Sequence, residues 1–360
     1  MNSFTLKVES LLFATVTSVL LISCFLHCMD ENKWEKIGGP FFGVNLVKIP
    51  KGFSGIIYVT TEDGIIQYQE KEKKFQYLMK EKGKIRALDI DPTNPKRMLA
   101  ASYNPKGPQS TLYQTFDGGQ TWSKIDYFPN RELSPFQRLL LKEEPGIYDI
   151  AFDPNNSKRI FLGTVLGLFE SRDNGKAWFR TNAKIDYDVY YIVLDQNRPD
   201  IIFVVTSKGI LFSEDSGNKW RKILLDHSGK FCQISPYDSS IYIETLDGYL
   251  YVSLDNGKTW GKKTLPDADA IRMNCLIVNP IKPSTLIIGG LNTKIMISKD
   301  RGDNWLSFND GMEIGKVISV LYIDPNNPRR LIVGTDGRRG GIRIGKEETF
   351  EGYLYSRWLN

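Results

Sequence analysis

An all-β fold, arranged as a single seven-bladed propeller, is predicted by two recurring strings and by the spacing of their copies. The first string, Ser/Thr-x-Asp-x-Gly-x-x-Trp, occurs five times: TFDGGQTW (Thr115–Trp122), SRDNGKAW (Ser171–Trp178), SEDSGNKW (Ser213–Trp220), SLDNGKTW (Ser253–Trp260) and SKDRGDNW (Ser298–Trp305). Its aspartates, Asp117, Asp173, Asp215, Asp255 and Asp300, lie 56, 42, 40 and 45 residues apart. The second string keeps step upstream: DPTNPKRMLAAS from Asp91, DPNNSKRIFLGT from Asp153, DQNRPDIIFVVT from Asp195, NPIKPSTLIIGG from Asn279 and DPNNPRRLIVGT from Asp324. Degraded copies, SPYDSSIYIET from Ser235 and IPKGFSGIIYVTT from Ile49, complete seven units. A period of about 40–45 residues carrying four short strands is the mark of a propeller blade.

Each unit reads in the same order. A buried strand such as IYDIAFD comes first and ends at an Asx-Pro turn, because proline cannot pair onward. A second strand such as RIFLGT, a Gly-bearing turn and a third strand such as GLFES follow. The Asp-Gly turn comes next, and a fourth strand begins at the tryptophan. The last unit lacks that turn and reads GGIRIGKEETFEGYLYSRW. The stretch DENKWEKIGG resembles the missing end of such a unit, with Trp34 in the tryptophan's place. Residues 33–38 are therefore expected to supply the outer strand of the last blade and remove its exposed edge.

Two regions follow: residues 1–29, a targeting or anchoring segment, and residues 30–360, the propeller. Leu11 to Ile22, LLFATVTSVLLI, has no charges and suits a signal-peptide core. Leu21-Ile22-Ser23-Cys24 resembles the lipobox of bacterial lipoproteins, which implies lipidation at Cys24. The preceding region is weak, since Glu9 offsets Lys7, and the apolar stretch continues to Met29, so a retained anchor or plain secretion are the alternatives. Each places the body outside the cytoplasm, in the periplasm or at the cell surface. Cys232 and Cys275 fall in apolar strands, at positions facing opposite sides, and are expected as buried free thiols.

The chain of 360 residues is 41% hydrophobic and 25% charged, an ordinary globular balance. Its net charge of +5 is spread among 42 acidic residues, too mixed for a nucleic-acid footprint. Of two histidines, His27 lies in the targeting segment and His227 in a polar connection, LLDHSGK. A histidine base, a Ser-His-Asp triad or a zinc cluster would all hinge on His227 alone. No metal, cofactor or catalytic residue is assigned.

The five strings resemble the Asp-boxes, or BNR repeats, of sialidases, sortilins, xyloglucanases and the photosystem II assembly factor family. The resemblance covers nearly all of residues 30–360 and implies a propeller. It also implies that the boxes are structural. The Asp carboxylate accepts turn N–H groups, the Gly takes the positive φ, and the Trp packs its ring between strands or blades. Sialidases further need three arginines around the substrate carboxylate and an Arg-Ile-Pro signature in the first blade. Here the nearest match is Lys48-Ile49-Pro50, and lysine cannot make the bidentate fork. Xyloglucanases use two propellers, whereas this length holds one.

With the Asp-boxes and Asx-Pro turns on one face, the starts of the first strands ring a funnel on the other. Counting back from each Asx position gives Arg86, Tyr148, Tyr190, Lys230 and Asn274, with Asp89 and Asp149 close behind. Two insertions belong to that face. One is YNPKGPQS (Tyr103–Ser110). The other is the connection from Ser123 to Gly146, whose SPFQRLLLKEE resembles a short helix with Ser134 as N-cap. Arg338, Arg339 and Arg343 of the final unit complete the candidate binding set, while Arg329 and Arg330 fall on the opposite side. The expected role is a non-catalytic, monomeric scaffold holding a protein or glycan at the funnel face and tethered to a membrane. A glycan-acting hydrolase or lectin using Asp89 and Asp149 is the alternative.

Overall fold

Each predicted unit folds as a four-stranded antiparallel sheet, and seven such blades form the ring of a seven-bladed β-propeller. The structure, a computed structural model, describes residues 33–80, 84–103, 110–125, 146–182, 185–223, 229–235, 238–245, 248–266, 275–336 and 351–359. The innermost strands, from blade one to blade seven, are Leu46–Lys48, Lys84–Ile90, Ile147–Asp153, Val189–Leu194, Gly229–Ile234, Cys275–Val278 and Val317–Ile323. Each touches the next, and the last touches the first, which closes the ring around a channel.

Burial grades outward as the sequence pattern requires. The second and third strands are covered on both faces and read as unbroken apolar runs. In blade four, every residue of Ile202–Thr206 and Gly209–Ser213 is buried. In blades two to six the outer strands are short, two to four residues each, as in Arg221–Ile223 and Gly261–Thr264. Seven apolar seams, one between each pair of neighbouring blades, make up the core. The glycine that ends several second strands exists for this packing. A Cβ on Gly163 would lie 2.8 Å from the Val189 carbonyl of the next blade, and one on Gly334 would lie 2.4 Å from Val44. Cys232 and Cys275 are free and buried, in different seams.

The five Asp-boxes repeat one hydrogen-bond pattern. The Ser or Thr hydroxyl donates to the Asp carboxylate at 2.7–2.9 Å and accepts the Gly N–H at 2.7–2.9 Å. The same carboxylate oxygen accepts the N–H four residues on from the Asp at 2.8–3.0 Å. These donors hold Asp255 and Asp300 down at about 2, the Thr259 hydroxyl leading for the first and the Asn304 backbone amide for the second. Two successive residues, not one, take positive φ: Asn174 (67°) and Gly175 (81°) in blade three, and likewise in the other boxes. The tryptophan Nε1 donates to the box Gly carbonyl at 2.9–3.2 Å, and its ring joins the seam with the preceding blade. The fourth strand starts one residue after the tryptophan, as at Phe179 after Trp178.

On this face the second string clasps neighbouring blades. Asp91 Oδ1 accepts the N–H groups of Thr93 and Asn94, while its other oxygen holds Arg97 at 3.1 Å. Arg97 crosses to blade three and donates to the Asn174 carbonyl at 2.9 Å. Arg159 reaches Ser216 in blade four, Arg198 reaches Asn256 in blade five, and Arg330 of blade seven forks onto Glu70 of blade one. Arg330 therefore lies on the side opposite the funnel, as expected.

Blade seven is built from both ends of the described chain. Its strand order, from the channel outward, is Val317–Ile323, Arg330–Asp336, Glu351–Trp358 and Glu35–Phe42. The closing strand is thus Glu35–Phe42, longer than and shifted from the expected 33–38. Trp34 occupies the seam between blades six and seven, as the box tryptophans occupy theirs. Its Nε1, however, donates to the Phe308 carbonyl of the preceding blade at 2.5 Å. Deleting residues 30–42 would bare the edge of Glu351–Trp358 and take Trp34 out of that seam. Calorimetry of the deleted chain is expected to show the single cooperative transition abolished; an unchanged melting curve would refute the closure role.

Candidate functional site

The inner strands carry a shared irregularity. In blades two, three, four, five and seven the register with the second strand slips by one residue, leaving Arg86, Tyr148, Tyr190, Lys230 and Ser319 unopposed. Such bulges bend the strand and re-aim a side chain. Four of the five are predicted funnel residues. Ser319 was missed, although the same five-residue step back from Asp324 that finds Arg86 from Asp91 reaches it.

The bulges gather a ladder across three blades. The Arg86 guanidinium carbon sits 3.9 Å from the Tyr148 ring centroid. Tyr148 meets Tyr190 edge-on, with centroids 5.2 Å apart and planes at 78°. The Tyr190 hydroxyl donates to Asp188 at 3.3 Å. Cation–π and edge-to-face contacts of this kind contribute about 0.5–1.5 kcal/mol each. The ladder is flanked on the same face by the Lys84–Glu62 ion pair at 3.0 Å and by Lys208, 4.7 Å from the Tyr187 ring centroid.

Asp89 and Asp149 lie at the channel wall and do a different job. The innermost strand of a blade is a free sheet edge whose amides have no ladder partner. Asp89 Oδ2 accepts the Phe152 N–H of blade three at 2.9 Å, and Asp149 Oδ2 accepts the Ile192 N–H of blade four at 2.8 Å. Asp89 also ion-pairs with Lys48 of blade one at 2.8 Å. Against the pull of burial, that carboxylate holds the Lys48 ammonium above its ordinary range. Lys48 of the Lys-Ile-Pro string is thereby committed, and Ile49 is buried in a seam. Burial pushes the Asp149 carboxyl up to about 7; the Ile192 amide and Lys48 oppose the shift and Asp89 adds to it. Burial, and after it the charge of Asp149, raise the hydroxyl of Tyr191, another residue missed in the sequence, above its ordinary range, and Arg86 opposes the shift.

The remaining sequence candidates fall elsewhere. Cys24, His227, Asn274, Arg338, Arg339, Arg343 and the Ser134 helix lie outside the described residues, as does the side chain of Lys230. Among the described residues, no group of three or more His, Cys, Asp or Glu is placed to hold a metal ion.

The comparisons agree with this architecture. The family described as Photosynthesis system II assembly factor YCF48 matches residues 128–265. The structure of YCF48 bound to D1 peptide superposes with a TM-score of 0.64 at 14% identity, over 91% of this chain and 97% of that one. YCF48 from Cyanidioschyzon merolae gives 0.61 at 12% identity, over 91% and 98%. The GH74 enzyme of Niastella koreensis gives 0.63 at 18% identity, over 84% of this chain and 52% of that one. A xyloglucanase from Paenibacillus sp. is 28% identical over 122 residues, or 12% of its length. The chain thus spans about half the GH74 structure and a small part of that relative. The fold is a BNR-repeat, YCF48-like seven-bladed propeller.

Because its pKa is raised in the folded state, Asp149 favours folding when protonated. That contribution is complete below the ordinary carboxylate range and is lost as pH rises through about 7. Asp149→Asn keeps an acceptor for Ile192 but cannot ionise. Its Tm is expected to exceed the wild type's by roughly 2–4 °C at pH 8, the gap closing progressively towards pH 4. A gap independent of pH would refute the assignment.

Proposed function

We propose that this propeller is an extracytoplasmic, membrane-tethered scaffold that captures a polypeptide on its funnel face without chemistry. The observation that carries the reading is the Arg86–Tyr148–Tyr190 ladder, three side chains from three blades presented by bulges at equivalent positions. Tyrosine and arginine supply large contact area and directional hydrogen bonding at low entropic cost, which is why they dominate protein-binding hot spots. The nearby carboxylates are engaged in holding inner-strand amides, and Asp89 in an ion pair besides. The likeness to YCF48 over nearly the full length of both chains supports a binding rather than a catalytic role.

A glycan-acting reading has its own support. A carboxyl near 7 suits a general acid, Asp149 sits beside Asp89 and several tyrosines, and GH74 enzymes share the fold. The deciding experiment is a screen of the protein against fluorogenic glycosides and xyloglucan oligosaccharides, paired with capture assays on immobilised protein. The scaffold reading expects no turnover. It also expects Arg86→Ala and Tyr148→Ala each to weaken capture at least tenfold, roughly 1.4 kcal/mol, while the fold survives with a cooperative melting transition lowered by only a few degrees, about what the lost ring contacts contribute. Turnover lost in Asp89→Asn or Asp149→Asn would replace the scaffold with a glycosidase.

A further inference from the structure

The chain enters the propeller between blades six and seven. Trp34 N–H donates to the Asp310 carbonyl at 2.8 Å, and a Cβ on Gly311 would meet Trp34 O at 2.5 Å and Lys33 Cβ at 3.3 Å. Three residues past Gly311 stands Ile314, 93% exposed, the most exposed large hydrophobic among the described residues. It sits on a turn bracketed by Gly311 (φ 92°) and Gly315 (φ 86°). Beside it, Lys36 Nζ lies 2.7 Å from Glu313 and 3.3 Å from the Tyr353 ring centroid, and Lys316 Nζ lies 5.1 Å from the same centroid. An apolar tip rimmed by a tyrosine, two long-stemmed cations and the carboxylates of Glu313 and Glu351 is an amphipathic edge of the kind that meets a membrane interface. The tip enters the acyl boundary while ring and ammonium groups stay among the headgroups.

Chain length keeps the rim close to a bilayer that holds the N-terminal segment. Lys33 is four residues from Met29, where the apolar stretch ends, and four extended residues span at most roughly 14 Å. From a lipid on Cys24, nine residues span at most roughly 32 Å. Either length keeps the rim of blades six and seven near the surface.

We propose that this rim, led by Ile314, is the membrane-facing edge of the propeller and rests on the phospholipid surface that holds the N-terminal segment. The inference depends on reading residues 11–29 as a membrane tether. One isoleucine is too little to adsorb a free protein, but a short tether raises its effective concentration at the surface to about the millimolar range. The ladder of blades two to four lies on the opposite side of the ring from blades six and seven.

The test uses the full chain, reconstituted at one copy per vesicle in phosphatidylcholine–phosphatidylglycerol, carrying Ile314→Cys or, on the outer strand of blade four, Lys222→Cys. Reaction with a water-soluble maleimide is followed peptide by peptide by mass spectrometry, on vesicles and in detergent. Labelling at 314 is expected to slow at least tenfold on vesicles, with 222 unaffected. A chain that does not float with the vesicles overturns tether and orientation together. A chain that floats but labels equally at both sites, or is protected at 222 instead, overturns the orientation alone.

Discussion

Neighbouring blades meet face to face, and side chains from both interdigitate across a gap of about 10 Å. That spacing governs the residues chosen at each seam. Second strands must end in something small where the next inner strand approaches, hence Gly163 and Gly334. Large aromatics must arrive from the turn side, where Trp178 and its counterparts fill the seam from its outer end. The repeat persists because each seam places the same demand on the blade that follows it. Blade seven meets that demand by recruiting Trp34 from the opposite end of the chain.

The two faces of the ring divide the polar work. On the Asp-box face, Asp91, Asp153, Asp195 and Asp324 are buried because each satisfies its own turn and steadies an arginine. Those arginines cross to the neighbouring blade, so this face couples blades by charge-assisted hydrogen bonds. On the funnel face, Asp89 and Asp149 cap free inner-strand amides, while the bulged residues are left to project. Cohesion and presentation are thereby assigned to different rows of one strand.

What was legible in the sequence was whatever recurs locally. The Asp-box turn is closed by residues within eight positions of one another, so its fold, its burial and its count could be read directly. The closing strand was legible because Trp34 repeats a familiar context, although its hydrogen bond to Phe308 was not. The bulged positions Arg86, Tyr148, Tyr190 and Lys230 could be reached by counting, since each sits five residues before its turn. Their chemistry was hidden because it is made between blades. Nothing near Asp89 in sequence announces Lys48, and nothing near Arg330 announces Glu70. Pairings across 41 and 260 residues exist only once the ring has closed.

That closure also sets an order of events. Glu35–Phe42 is among the first of the described strands to leave the ribosome, and its partner Glu351–Trp358 is the last. Six blades can form from neighbouring sequence as it emerges, whereas the seventh must wait until Glu351–Trp358 has been made. Until then Glu35–Phe42 has no sheet to join, and its apolar residues stay open to chaperones or to another chain. A fold assembled from local repeats is thus completed by its most distant contact, and closure of the ring becomes a single late step that awaits its last strand.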